Sequence, residues 1–213
     1  MTWEELNDNL YEVVGKRRSQ ALAFSMRQTK ENVAANVYNR AFTAAYAGGD
    51  GVELCASTHP SSAGTQSNIM AVAADLSETA IEDMIIQIGQ ATNDRGMKIS
   101  LMPQSLIVPW ALWFEANRIL KSVLQNDTAL NAINVLKATG ALPGGIVQNH
   151  YLSDADNWFI RTNVPRGLIH YERNKIAFDQ DNDFDTKNAK AAAIERYIFG
   201  WTDWRGVFGS NPA

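Results

Sequence analysis

The chain has 213 residues, 46% hydrophobic and 20% charged, which excludes a disordered or collagen-like polymer and supports a buried core. A formal net charge of −4 argues against a dedicated nucleic-acid binder, which is usually basic. The single cysteine, Cys55, excludes an intrachain disulfide and a multi-cysteine zinc site, and the three histidines, His59, His150 and His170, are scattered.

The N-terminus, Met1 to Glu5, is acidic where a signal peptide is basic and then apolar. From Trp3 to Ala47 there is no proline. Leu6, Leu10, Val13 and Val14, then Leu22, Met26, Val33, Val37 and Phe42, recur at helical spacing, with Gly15 as a kink or the true helix start. A continuous helix over this stretch is roughly 65 Å long at 1.5 Å per residue, longer than a compact domain of this size is wide. Gly48 to Gly51 ends it. Residues 48–70 are rich in Gly, Ser, Thr and Asn and predict a long loop or a pair of short extended arms.

Asp75 and Glu78 predict a capping box opening a helix whose apolar stripe is Ile81, Met84, Ile85 and Ile88. Lys98 to Leu101 and Leu106 to Val108 read as short strands around Pro103. The longest apolar run, Leu106 to Phe114, is too short to span a bilayer and carries Pro109. A soluble protein made in a reducing cytoplasm, with no membrane partner, is expected. Pro109 suits the first turn of a helix carrying Leu112, Ala116, Ile119, Leu120 and Val123. Leu142 to Gly145 is a turn, and Trp158 to Ile160 and Leu168 to Phe178 read as strands. Ala189 to Ile194 is helical by propensity, whereas Tyr197 to Trp201 favours a strand.

Few residues suggest chemistry. Cys55 and His59 are four apart, the spacing of a nucleophile–base pair or two zinc ligands, but no further ligand is near. Asp179, Asp181, Asp183 and Asp185 begin like a calcium loop. The pattern fails at Phe184, where the turn glycine belongs, and at Lys190, where the bidentate glutamate belongs. A solvated acidic edge that discourages strand pairing is the simpler reading. Gly48 to Gly51 follows a helix and lacks the lysine of a phosphate loop, and there is no Gly-x-Ser-x-Gly elbow. The most unusual string is Gly200 to Gly206. Trp201, Asp203, Trp204 and Arg205 stand there as candidate assembly or packing residues, since Trp and Arg dominate interfaces and Arg stacks on aromatic faces.

Ser25–Phe42 (SMRQTKENVAANVYNRAF) resembles the spine helix of tailed-bacteriophage major capsid proteins. Gly49–Pro60 (GDGVELCASTHP) and Gly64–Asn68 (GTQSN) resemble the loop after it. Ser105–Pro109 (SLIVP), Asn149–Leu152 (NHYL) and Trp158–Phe159 resemble the middle of that family. Phe178–Thr186 (FDQDNDFDT), Arg196–Tyr197 and Gly200–Gly206 (GWTDWRG) resemble its end. The resemblance implies an α+β fold shared with encapsulins: a long spine helix with a peripheral β-sheet lobe and an inserted axial α/β lobe. The peripheral lobe comprises 1–72 and 154–213, with the spine at about 4–47, the loop at 48–70 and the C-terminal strands. The axial lobe is 73–153. In that fold Ala189–Trp201 is strand, which is the reading adopted.

The implied function is a structural subunit of a phage head, assembled in the host cytoplasm. It forms pentamers and hexamers of an icosahedral shell enclosing DNA, which it meets without specificity. Portal and scaffold proteins are implied partners. Relative to the family, the N-terminal arm and extended loop are expected to be missing, so a chain or segment supplying them is a further expected partner, and an unaided closed shell is not expected. The family's lysine–asparagine cross-link has no donor counterpart, so no catalytic, cofactor-binding or metal residue is expected. The alternatives are an encapsulin-like nanocompartment shell, distinguished by protein rather than DNA inside the particle, and a small hydrolase using Cys55 or a serine.

Overall fold

A computed structural model describes residues 1–125 and 132–212. The chain runs through α1 (Trp3–Asn7), a π-helical turn (Tyr11–Gly15), α2 (Lys16–Asn39), a 3-10 turn (Ala44–Tyr46), β1 (His59–Ser61), β2 (Gly64–Gln66) and α3 (Glu78–Gln90). It continues through β3 (Pro103–Val108), α4 (Trp113–Lys121), α5 (Val135–Thr139), β4 (Ile146–Gln148) and β5 (Trp158–Thr162). It ends with β6 (Leu168–Asn182), β7 (Ala189–Trp201), a second 3-10 turn (Trp204–Gly206) and β8 (Val207–Ser210). Two compact units result. One comprises Met1–Ala34 and His170–Phe199, the other Ala35–Ile169 and Gly200–Ala213. The expected peripheral and axial lobes are a different partition.

The second unit is built on a four-stranded sheet ordered β4-β3-β5-β8, parallel between β3 and β4 and antiparallel elsewhere. Leu106, Ile107 and Val108 are consecutive and all buried, as are Trp158, Phe159 and Ile160. An unbroken buried run means that both faces of the two central strands are covered. α3 contributes Ile81, Met84 and Ile88 at helical spacing, and α4 contributes Ala116 and Ile119. Trp158 is fixed by its indole N–H donating to the Ala74 carbonyl at 3.0 Å.

Three local expectations are corrected. Ser77, not Asp75, caps α3: its hydroxyl accepts from the Ala80 amide at 3.2 Å. Lys98–Leu101 is not a strand: only Lys98 pairs, in a single antiparallel bridge to Thr92 across the turn that Asn93 closes by accepting from the Arg95 and Met97 amides. Pro109 does not open α4, which begins at Trp113. The stretch 48–70 does contain a pair of short arms, β1 and β2, paired antiparallel from His59↔Gln66 to Ser61↔Gly64.

In the first unit the uninterrupted helix expected from about 4 to 47 is broken. Thr2 and Glu5 form a capping box on α1, and Asn9 then takes a left-handed φ of 56°, which ends that helix. Regular α-helix resumes after the π turn that ends at Gly15 and stops at Asn39, well before the glycines at 48–51. Val33, expected inside, is exposed. Lys30 faces inward instead, bonding Glu172 at 3.0 Å and Glu195, and lying 5.1 Å from the Tyr197 ring.

β6 and β7 pair as a two-stranded sheet, and their short connection makes it an antiparallel hairpin. β7 is strand despite its alanines. Ala193, Glu195, Tyr197 and Phe199 are half-buried while Ile194, Arg196 and Ile198 are exposed, a period of two that a helix cannot satisfy.

Candidate functional site

The second unit holds the string singled out in the sequence. Asp203 accepts from the Arg205 amide at 3.0 Å and so caps the turn Trp204–Gly206. That turn directs Trp204 and Arg205 inward, where both are buried. The Trp204 ring stacks on His59, with centroids 4.3 Å apart and planes 5° from parallel, and the Arg205 guanidinium lies 4.3 Å from the same ring. Arg205 donates from Nε to the Thr92 carbonyl at 3.0 Å. From Nη2 it donates to Asp94 at 2.9 Å and Gln66 at 3.2 Å. One side chain thus ties the C-terminal turn to β2 and to the turn after α3.

Two glycines near the string, Gly206 and Gly48, have steric causes. Gly206 meets the backbone of Gly167 so closely that a Cβ on it would sit 2.8 Å from the Gly167 Cα. Trp201 lies over Gly48, where a Cβ would fall 1.9 Å from its ring.

Beneath Trp204 lies a network of Asp50, His59 and Asn68. His59 is fully buried. Its Nδ1 is 2.7 Å from Asp50 Oδ2 and its Nε2 is 3.1 Å from Asn68 Oδ1. Asn68 is oriented unambiguously: its Oδ1 accepts from the Ala56 amide at 2.9 Å, and its Nδ2 donates to the carbonyls of Leu54, Trp204 and Val207. Both nitrogens of His59 therefore face acceptor oxygens. Asp50 is in turn steadied by the Val52 amide at 3.2 Å.

The Cys55–His59 pairing considered from sequence does not form. His59 is committed to Asp50 and Asn68, and Cys55 lies buried among apolar side chains that push its thiol well above the usual range. Asp50 and Asn68 were not identified as partners of His59. Their equal spacing of nine residues matches no helix or strand period, and only the fold of the loop brings them together.

The four aspartates do not converge. Asp179 and Asp181 lie on β6, while Asp183 pairs with Lys190 at 2.6 Å in the hairpin turn. Among the described residues no cluster of three or more His, Cys, Asp or Glu side chains is arranged to hold a metal ion, and no helix is long and apolar enough to cross a membrane.

A family model for phage capsid proteins matches residues 1–209. No curated protein matches. Among solved structures, a phage-related protein from Bordetella bronchiseptica is similar with a TM-score of 0.52 and 12% identity, over 92% of this chain and 64% of that one. A virus-like particle from Pyrococcus furiosus gives a TM-score of 0.42 at 15% identity, over 67% of this chain and 55% of that one. A structure from Mycobacterium phage Che8 gives 0.40 at 18% identity, over 66% and 52%. The chain therefore spans between about half and two thirds of the length of these structures. The Bordetella likeness is one of fold: mixed helix and sheet matched along nearly the whole chain. Since the family model covers all but its last few residues, the chain belongs to the phage capsid protein family.

Proposed function

We propose that this chain is a structural subunit of a phage head that assembles into pentamers and hexamers of an icosahedral shell enclosing DNA. The observation that carries the reading is the family match along residues 1–209. α2 takes the part of the spine, residues 1–72 and 154–213 form the peripheral lobe, and 73–153 form the axial lobe. Trp201, Asp203, Trp204 and Arg205 act as a packing anchor, a role supported by the burial of Trp204 and Arg205 and by the bonds Arg205 makes. On this reading the residues of the site hold the C-terminal strands in register with the loop 48–70.

Portal and scaffold proteins, a chain or segment supplying an N-terminal arm and extended loop, assembly in the host cytoplasm, and non-specific contact with packaged DNA belong to the same proposal. They come from the family resemblance. Negative-stain microscopy of the purified protein, with and without a co-expressed arm-and-loop segment, tests the reading. Rings, sheets or shells are expected. A protein that stays monomeric in both preparations overturns it. Particles from the native source are expected to hold DNA; an enzyme cargo inside them would instead make the protein a nanocompartment shell.

A further inference from the structure

The first unit presents a matched projection and recess. The projection is the turn of the β6–β7 hairpin. Phe184 stands at its tip with 93% of its surface exposed. The turn around it is closed and pinned: the Asp183 amide donates to the Asn188 carbonyl at 2.9 Å, Asp183 pairs with Lys190, and the Trp3 amide donates to Asn188 Oδ1 at 3.2 Å. A large aromatic held outward on a fixed turn loses little freedom on docking. Beside it, Asp185 has no ion-pair partner among the described residues.

The recess is a cleft of about 850 Å³ between the N-terminal helical segments and the strands of the hairpin, with Leu6, Tyr11, Leu22 and Ala191 among its walls. It continues into a smaller hollow of about 360 Å³ beside Phe178 and Ala23. Lys16 lines both, and it too lacks an ion-pair partner among the described residues, whereas Arg18 nearby is held by Glu5 at 2.8 Å.

We infer that Phe184 of one copy of this chain inserts into this cleft of a second copy, with Asp185 of the first pairing with Lys16 of the second. The occupant is a second copy because one chain carries both halves of the match: an aromatic flanked by an unpaired carboxylate, and a cleft of mixed lining whose apolar walls, Leu6, Tyr11, Leu22 and Ala191, are edged by an unpaired ammonium. Such a contact buries the most exposed large apolar side chain of the unit. It works reciprocally between two copies or in sequence along a row of them. The inference rests on the reading of the chain as a shell subunit and names one of its contacts.

The test uses the full chain. Phe184→Ser removes the knob; because Phe184 touches almost nothing in its own chain, the thermal midpoint should stay at the parent value. Self-association measured by sedimentation velocity should weaken at least tenfold, while Phe184→Leu retains most of it. Lys16→Glu and Asp185→Lys should each weaken association, and the double variant should recover it. Parent-like association of Phe184→Ser, or a double variant no better than the single ones, overturns the contact and leaves the shell reading standing. A parent chain that stays monomeric at every concentration, with the arm-and-loop segment supplied, overturns both.

Discussion

Trp204 is held on every side by something specific: the His59 ring, the Arg205 guanidinium, and Asn68 bonded to its carbonyl. Truncating a large buried aromatic costs about 3–5 kcal/mol through lost burial and an unfilled cavity. Trp204→Ala is therefore expected to lower the midpoint of thermal unfolding by roughly 6–20 °C, at about 2–4 °C per kcal/mol for a chain of this size. Differential scanning calorimetry measures it, and a parent-like midpoint would show that the stack holds nothing together. Cys55 gives a second expectation. Burial raises its thiol, so almost none is thiolate at neutral pH, and the side chain is almost wholly covered. Titration with a chromogenic disulfide should find no reactive thiol in the folded chain and one after denaturation. Rapid labelling of the native protein would contradict the burial and reopen a chemical role for this cysteine.

The hairpin and α2 share a charge cluster whose pH response can be worked out by sign. The Glu172 carboxyl is held below its ordinary value of 4.5, chiefly by its hydrogen bond to Lys30. The Lys30 ammonium is held above its ordinary 10.5, first by Glu195 and then by Glu172. A lowered carboxylate contributes stability that is complete above its ordinary value and lost as pH falls through the lowered one. A raised ammonium contributes stability that is complete below its ordinary value and lost as pH rises through the raised one. The cluster should thus be fully effective between 4.5 and 10.5 and fail outside. Comparing thermal midpoints of the parent and Glu172→Gln isolates it: the gap present at neutral pH should close in acid below the usual carboxylate range. A gap that persists there means that Glu172 acts by packing and not by charge. Glu172 and Lys30 are both partly exposed to solvent, so the neutral-pH gap should be small.

Elements with a clear period were legible in the sequence. Ile81, Met84 and Ile88 declared α3 by their spacing, and the aromatic and β-branched run Trp158–Ile160 declared a strand by composition, though not its central place in the sheet. The extent of β7 was not legible from propensity. Its alanines favour helix, and the alternation Ala193, Glu195, Tyr197, Phe199 becomes meaningful only once Lys30 is known to face it. The helix break at Asn9 was equally hidden, because a left-handed asparagine leaves no mark on hydrophobic spacing. Within the site, Trp204 and Arg205 were conspicuous by type. Their partners Asp50, Asn68 and Asp94 sit on loops, where no periodicity links residues that meet in space.

A ring built head to tail needs two different faces on each subunit, and a subunit serving both five-fold and six-fold rings needs a contact that tolerates a change of about 12° between neighbours. On the proposed reading, the exposed apolar side chains at the two ends of β3 are candidates for those faces. Exposed Met97 and Met102 lie before its start. After its end come exposed Trp110 and Phe114, where the Trp110 ring is 6.3 Å from Trp113 and 6.4 Å from His150. Methionine side chains are unbranched and repack readily, and their sulfur is attracted to aromatic rings, so a thioether-to-indole contact can accommodate that change in angle. On the proposed reading, Trp110→Ala should leave the fold intact, since more than half of the residue is already exposed, yet shift native mass spectra from rings toward monomers. Met102→Leu, similar in bulk but less adaptable, should narrow the range of ring sizes while preserving association. Ring distributions identical to the parent in both variants would exclude the ends of β3 from the ring contact and direct the search to other faces of that unit.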